Sequence, residues 1–215
     1  MNQPILDKLT EYFNRGDEKE YRKGTIITFG HQEPKGVSLL LEGIVEQYDI
    51  SPEGNKITVN IFKPPAFFPM SWAINKVPNG YFYAALTDVK LKQAAPDATV
   101  EFLKANPDVM FDLLSRVYKG TDAVLKRVVL AASGIAASRL VFELLIEAYR
   151  FGVELDSDTR MVSIKQNALA SRSGLARETV SRELHKLEKN GALTISKGDI
   201  AIHTKQLEKM LDLDI

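Results

Sequence analysis

All nine prolines of this 215-residue chain lie at or before Pro107, and the second half has none. Proline removes a backbone donor and clashes with the preceding helical turn. The first half must therefore be assembled from short pieces, while the second is free to form long helices. The glycines agree: Gly24, Gly30, Gly36, Gly43 and Gly54 punctuate short apolar runs at residues 25–29, 37–41, 44–50 and 57–62. Short runs between regular turn signals predict an antiparallel sandwich or roll. Ser51-Pro52-Glu53-Gly54-Asn55 reads as a hairpin turn. Ahead of it, residues 5–16 read as a helix with Ile5, Leu6, Leu9, Tyr12 and Phe13 on one face.

A short helix over 97–106 stops in front of Pro107. From there no breaker interrupts the chain until Ser133-Gly134, apart from Gly120, which costs a helix about 1 kcal/mol relative to Ala. Met110, Leu114, Val117, Thr121, Val124, Val128 and Ala131 follow alternating spacings of four and three, a coiled-coil seam. A helix of roughly 40 Å is too long for a small roll to cover, so this one is expected to pair with a second copy. Residues 136–150 form another amphipathic helix that buries Leu140, Leu144 and Leu145. Residues 161–164 read as a strand, and Ser163-Ile164-Lys165-Gln166 as a capping box starting the next helix. Residues 193–196 and 200–203 flank Lys197-Gly198-Asp199 as a hairpin wing, and 204–211 close the chain as a helix.

Residues 167–184 carry the most chemistry. They read as a short helix, a turn at Gly174 and a second helix that opens with Arg177-Glu178-Thr179-Val180-Ser181-Arg182. Ala170 and Gly174 are small where two helices approach and turn. Val180, Leu184 and Leu187, with Leu169 and Leu175, supply a shared core. Arg177, Glu178, Ser181 and Arg182 then share the outer face. Arginine forks onto guanine O6 and N7, and a carboxylate accepts from cytosine N4, so this face suits base edges in a major groove. Lys165, Gln166, Ser171, Arg172, Ser173, Thr179 and Lys197 are candidates for contacts to the DNA backbone. Lys and Arg equal Asp and Glu over the whole chain, at 28 each. Between residues 163 and 198, however, seven Lys/Arg face three Glu, and local excess is what phosphate contact requires.

These residues, followed by Leu187-Glu188-Lys189-Asn190-Gly191 and the wing, resemble the CRP/FNR superfamily of bacterial regulators. Tyr21-Arg22-Lys23-Gly24-Thr25-Ile26-Ile27, Gly30 and Leu41-Glu42-Gly43-Ile44-Val45 look like the start of that family's cyclic-nucleotide-binding-type roll. The resemblance implies an α+β chain in three parts. Residues 1–107 would be an antiparallel β-roll of the double-stranded β-helix or jelly-roll type. Residues 108–134 would be a dimerisation helix, and 135–215 a winged helix-turn-helix. It further implies a homodimeric transcriptional regulator that reads TGA-type half-sites of double-stranded DNA with Arg177, Glu178, Arg182 and Ser181, and that works with RNA polymerase. One departure is Ala176, where the family often places Ser or Thr as the N-cap of the reading helix. Its loss forgoes about 1 kcal/mol of capping.

The sensor half departs further. Family members that bind cyclic AMP carry Gly-Glu and, some ten residues on, Arg-Ser or Arg-Thr. Here those places read Phe67-Phe68-Pro69-Met70-Ser71-Trp72 and Asn79-Gly80-Tyr81-Phe82-Tyr83. A cyclic phosphate would find no cation, and Val124 and Leu125 stand where such members tend to place polar groups on the long helix. The apolar replacements imply either a filled core or a pocket for a hydrophobic or aromatic effector lined by Phe67, Met70, Trp72, Tyr81, Tyr83, Val124 and Leu125. A cupin-type metal enzyme would need several His on adjacent strands. His31, His185 and His203 are scattered, which also argues against haem, and neither a metal nor another cofactor is expected. With no cysteine, no signal-peptide pattern and no apolar run of membrane-spanning length, the chain is expected in the cytoplasm, away from membranes. A dimeric adaptor using the wing for protein contact is the remaining alternative.

Overall fold

The computed structural model describes residues 2–211, so the outermost residues of the two expected terminal domains, 1 and 212–215, lie outside it. The chain divides into two compact units, Met1–Thr121 and Asp122–Ile215. Each is described separately.

The first unit opens with α1 (Gln3–Phe13), shorter than the expected 5–16 and shifted toward the N-terminus. Asn2 caps it, its Oδ1 accepting from the Ile5 amide at 3.1 Å, and Ile5, Leu9 and Phe13 are buried at successive turns. Two four-stranded antiparallel sheets follow. One has the order β1 (Asp17–Tyr21), β8 (Val89–Ala94), β3 (Val37–Glu42), β6 (Ala66–Phe68). The other runs β2 (Ile26–Thr28), β7 (Phe82–Ala85), β4 (Val45–Ile50), β5 (Lys56–Phe62). The chain passes back and forth between the two sheets, which makes the roll. Gly43 turns β3 into β4 with φ +86, and a Cβ there would lie 2.1 Å from the Asp88 carbonyl, so only glycine fits. The hairpin at residues 51–55 forms as expected, with the Gly54 amide donating to the Ser51 carbonyl at 2.8 Å.

β1 was not anticipated. Its sequence, Asp-Glu-Lys-Glu-Tyr, has no apolar alternation, and it forms an edge strand on β8. Charged side chains are what keep an exposed edge from recruiting other strands. Between the sheets lie Leu40, Val45, Phe68, Tyr83, Val89 and Leu91. Outside the roll, α2 (Met70–Asn75), α3 (Pro96–Ala105) and the start of α4 (Pro107–Ala132) pack with α1 over a second apolar cluster that includes Leu9, Phe13, Leu39, Phe67, Met70, Leu103 and Val109.

α4 is one continuous helix of 26 residues, close to the expected 108–134. The unit boundary falls inside it at Thr121/Asp122. Its first half is tied to the first unit: Lys8 pairs with Asp108 at 2.7 Å, and Arg116 donates to the Pro65 carbonyl at 2.8 Å. Its second half is tied to α5 (Ala136–Phe151) by Arg127 and Glu143. The anticipated seam, Met110, Leu114, Val117, Thr121, Val124, Val128 and Ala131, is open along the whole helix, and exposed Phe111, Tyr118, Leu125 and Val129 widen it.

In the second unit α5 is followed by β9 (Val153–Glu154), β10 (Thr159–Val162), α6 (Gln166–Ser173), α7 (Arg177–Lys189), β11 (Leu193–Ser196), β12 (Asp199–His203) and α8 (Thr204–Met210). Sheet order is β11-β12-β10-β9, all antiparallel. Leu140, Leu144, Leu169, Val180, Leu184 and Ile202 lie in its core. The expected capping box is not made. α6 begins two residues later than that motif requires, with Lys165 at its N-cap and no side-chain cap. Ile164 is buried in extended chain after β10, and burying that side chain outweighs one surface capping bond of about 1 kcal/mol.

Candidate nucleic-acid interface

The geometry of the α6–α7 pair starts at its turn. Gly174 ends α6 in the left-handed region, at φ 62 and ψ 30, and its amide donates to the Ala170 carbonyl. The last carbonyls of a helix lack partners within it. Here Arg139 of α5 supplies them: Nε and Nη2 donate to the Ser173 carbonyl at 2.9 and 2.5 Å, and Nη2 to that of Gly174 at 2.7 Å. A Cβ at residue 174 would stand 2.7 Å from Arg139 Nη2. Glycine is thus favoured by the backbone conformation, and a Cβ would also push the end of the Arg139 side chain away from its carbonyl partners. Arg139 was not among the expected site residues, since sequence spacing alone does not reveal a side chain arriving from 34 residues away.

α7 begins at Arg177 with Ala176 at the N-cap and no side-chain cap, as the Ala176 departure implied. Val180, Leu184 and Leu187 are buried on its inner face, while Arg177, Glu178 and Arg182 are exposed and Ser181 is half-buried. Arg177 and Glu178 have no hydrogen-bond or ion-pair partner among the described residues. Arg182 reaches Glu183 only at 3.5 Å and keeps 60% of its side chain exposed. Glu183 is buried and accepts from Lys186 at 2.8 Å. That hydrogen bond, more than the neighbouring Arg182, holds its carboxyl below the usual carboxylate range. In the wing, Lys197 and Gly198 both have positive φ, 50 and 95, as a two-residue hairpin turn of this hand requires. Lys197 is exposed at its tip.

The backbone-contact candidates divide. Lys165 and Lys197 are exposed, and Gln166 at the start of α6, Ser171 toward its end and Thr179 in the first turn of α7 are half-buried. Arg172 and Ser173 do not fit the expectation. Arg172 is ion-paired with Glu147 of α5, each side chain 8% exposed, and the Ser173 hydroxyl is buried and donates to the Leu169 carbonyl at 2.6 Å. A guanidinium committed to Glu147 is not available to a phosphate.

Within the first unit, the expected effector residues Phe67, Met70, Trp72, Tyr81 and Tyr83 are not gathered around one cavity. Tyr83 lies inside the roll, stacked on Phe68 at 5.1 Å, and Phe68 stacks on Phe62 at 5.0 Å. Burial pushes the Tyr83 phenol far above its usual value, so it stays neutral. Phe67, Met70 and Trp72 belong instead to the cluster with α1 and α3. Tyr81, Val124 and Leu125 are exposed. A cleft of about 490 Å³ lies elsewhere on the first unit, lined by His31, Glu33, Trp72, Lys76, Asn79 and Asp97 among others, and of the expected set only Trp72 reaches it. Among the described residues, no three His, Cys, Asp or Glu converge as a metal site would need, and no helix is long and apolar enough to cross a membrane.

Comparison with known proteins follows this division. The sequence model of the cyclic nucleotide-binding domain matches residues 18–106, and that of the Crp-like helix-turn-helix domain matches residues 138–213. A global nitrogen regulator of Nostoc sp. is 28% identical over 190 residues, covering 85% of this chain and 83% of that protein. The transcriptional regulator SdrP of Thermus thermophilus is 26% identical over 164 residues, 76% of this chain and 77% of that one. Among solved structures, a CRP/FNR-family transcriptional regulator from Thermus thermophilus superposes with a TM-score of 0.74 at 22% identity, over 92% of this chain and 99% of that chain.

Proposed function

The chain belongs to the CRP/FNR superfamily of transcriptional regulators, and from that premise we propose that it binds a two-fold DNA site as a homodimer, reading each half-site with α7. It is a regulator rather than an enzyme. The observation that carries the proposal is the division of α7. One face is packed in the core, and the other offers Arg177, Glu178 and Arg182 outward, the first two with no partner of their own among the described residues. An exposed arginine and carboxylate at a helix start, neither engaged by another protein group, are matched by guanine and cytosine edges. Ser181 adds a contact to this set. Lys165, Gln166, Ser171, Thr179 and the wing Lys197 serve the phosphates, without Arg172 or Ser173. The open seam from Met110 to Val128 on α4 supports pairing with a second copy, and RNA polymerase is the further partner. The cytoplasm is the expected compartment.

DNA binding in this protein does not require cyclic AMP. The places where the family holds ribose and phosphate carry Phe67, Phe68, Tyr81 and Tyr83, and the roll interior is filled by stacked rings. The test is selection of sites from a random duplex pool by ligand-free protein at fixed salt. A palindrome with TGA-type half-sites is expected. Failure to enrich any sequence, with or without cell extract, would overturn the reading.

A further inference from the structure

The buried side of α5 is not wholly apolar. Leu140, Leu144, Leu145 and Ala148 share it with two carboxylates, Glu143 and Glu147. Glu143, 1% exposed, takes a fork from Arg127 of α4: Nε donates to Oε1 at 2.6 Å and Nη2 to Oε2 at 3.0 Å. Glu147, four residues on, is ion-paired with Arg172 of α6. Arg150, exposed at the end of α5, feels the charges of both pairs. Burial first, then repulsion from Arg127 and Arg172, holds its guanidinium below its usual value, against the pull of Glu147 and Glu143. Spacing of four puts Glu143 and Glu147 on one face a turn apart, their Cβ atoms about 6 Å from each other. Four charged groups from three helices, Arg127, Glu143, Glu147 and Arg172, therefore share one largely buried region, with Arg150 at its exposed edge.

We propose that Arg127 is a positioning residue for DNA reading: through Glu143, Glu147 and Arg172 it ties the end of the long helix to the first helix of the reading pair. The inference rests on the assignment of α6 and α7 to DNA. Its physics is the cost of a bare buried charge. While Arg127 holds Glu143, Arg172 has one carboxylate to serve, and α6 has one alignment on α5. Without Arg127, Glu143 stands uncompensated beside Glu147. Arg172 and Arg150 are then drawn toward both, and α6 loses its single seat. The end of α6 at the turn stays held by Arg139 at the Ser173 and Gly174 carbonyls, so the disturbance is a tilt of α6 and not its release.

The test is amide hydrogen exchange on the full chain, paired with DNA titration at one salt concentration. Arg127→Met should speed exchange across α6 by about tenfold, the size expected of groups in one network. It should weaken a selected site by a similar factor and leave a scrambled duplex unchanged. Arg127→Met/Glu143→Leu, which leaves no bare charge, should restore both. Arg127→Lys, which keeps the charge without the fork, should shift α6 in the same direction by less, and serves if Arg127→Met does not fold. Exchange that rises only in α4 and α5 would overturn the proposal, as would a double variant as disturbed as the single one. The exchange arm needs no DNA. A wild-type protein that selects no site would thus count against the DNA assignment alone.

Discussion

The N-terminal roll closes its interior with rings and aliphatic chains: Phe62, Phe68 and Tyr83 stack, with Leu40, Val45 and Leu91 around them. Apart from Glu46, which is buried against Thr58 and Lys56, its carboxylates stay at least partly exposed. The C-terminal unit does the reverse and takes Glu143, Glu147 and Glu183 into its packed faces, each with a basic partner. Apolar packing is non-directional and accepts volume-conserving change, whereas a buried ion pair tolerates little displacement before a charge is left bare. The roll is thus built to be filled, and the C-terminal unit to hold α6 and α7 in one arrangement. The base reading proposed for α7 calls for that second kind of construction.

The comparison can be broken by substitution, beginning where the effect is greatest. Phe68→Ala removes a ring from the middle of the roll stack and should cost about 3–5 kcal/mol in urea unfolding. Glu147→Leu strands Arg172 and should cost a similar amount, about 3–5 kcal/mol. The two are told apart by a second change. Glu147→Leu/Arg172→Met should recover most of the loss, and no charge-balancing partner exists to rescue Phe68→Ala. A double variant as unstable as Glu147→Leu would mean that the pair matters for shape and not for charge. Gly174→Ala should cost about 1–3 kcal/mol, the usual strain of a left-handed non-glycine residue, with the Arg139 contact pushing toward the upper end.

Smaller effects sharpen the same contrast. Ala176→Ser supplies the missing side-chain cap of α7 and should stabilise the second unit by about 1 kcal/mol, read as a higher melting temperature. An unchanged or lower value would displace the start of α7 from where it is placed here. The smallest effect is on pH dependence. Glu183 is held below its usual value in the folded chain, so its contribution is present above the ordinary carboxylate range and fades as pH falls through the folded value. Lys186→Met should flatten that acid limb by lowering stability near neutrality, with stability below the folded value little changed.

Much of the second unit was legible because its elements are long or strongly patterned. Proline-free sequence after Pro107, the spacing of Val180, Leu184 and Leu187, and the glycines at 174 and 198 each specify local structure without outside help. The roll was legible as a class but not as strands. β1 is all charge and Tyr, and its place is set by pairing with β8, far along the chain, a contact with no local signature. The candidate residues divide along the same line. The exposure of Arg177, Glu178 and Arg182 follows from one helix's periodicity, whereas nothing near Arg172 and Ser173 in sequence tells of Glu147 or of the α5 surface that hold them. The misplaced capping box at Ser163 failed for a related reason: Ile164 is drawn into the core by partners distant in sequence.

The most direct test of the reading face is equilibrium binding of Arg177→Ala to the selected site and to a scrambled duplex at the same salt. The expected result is a loss of about 1–3 kcal/mol on the selected site with relaxed preference at one base pair and little change on the scrambled one. Equal loss on both would make Arg177 a phosphate contact and contradict base reading by the outer face of α7.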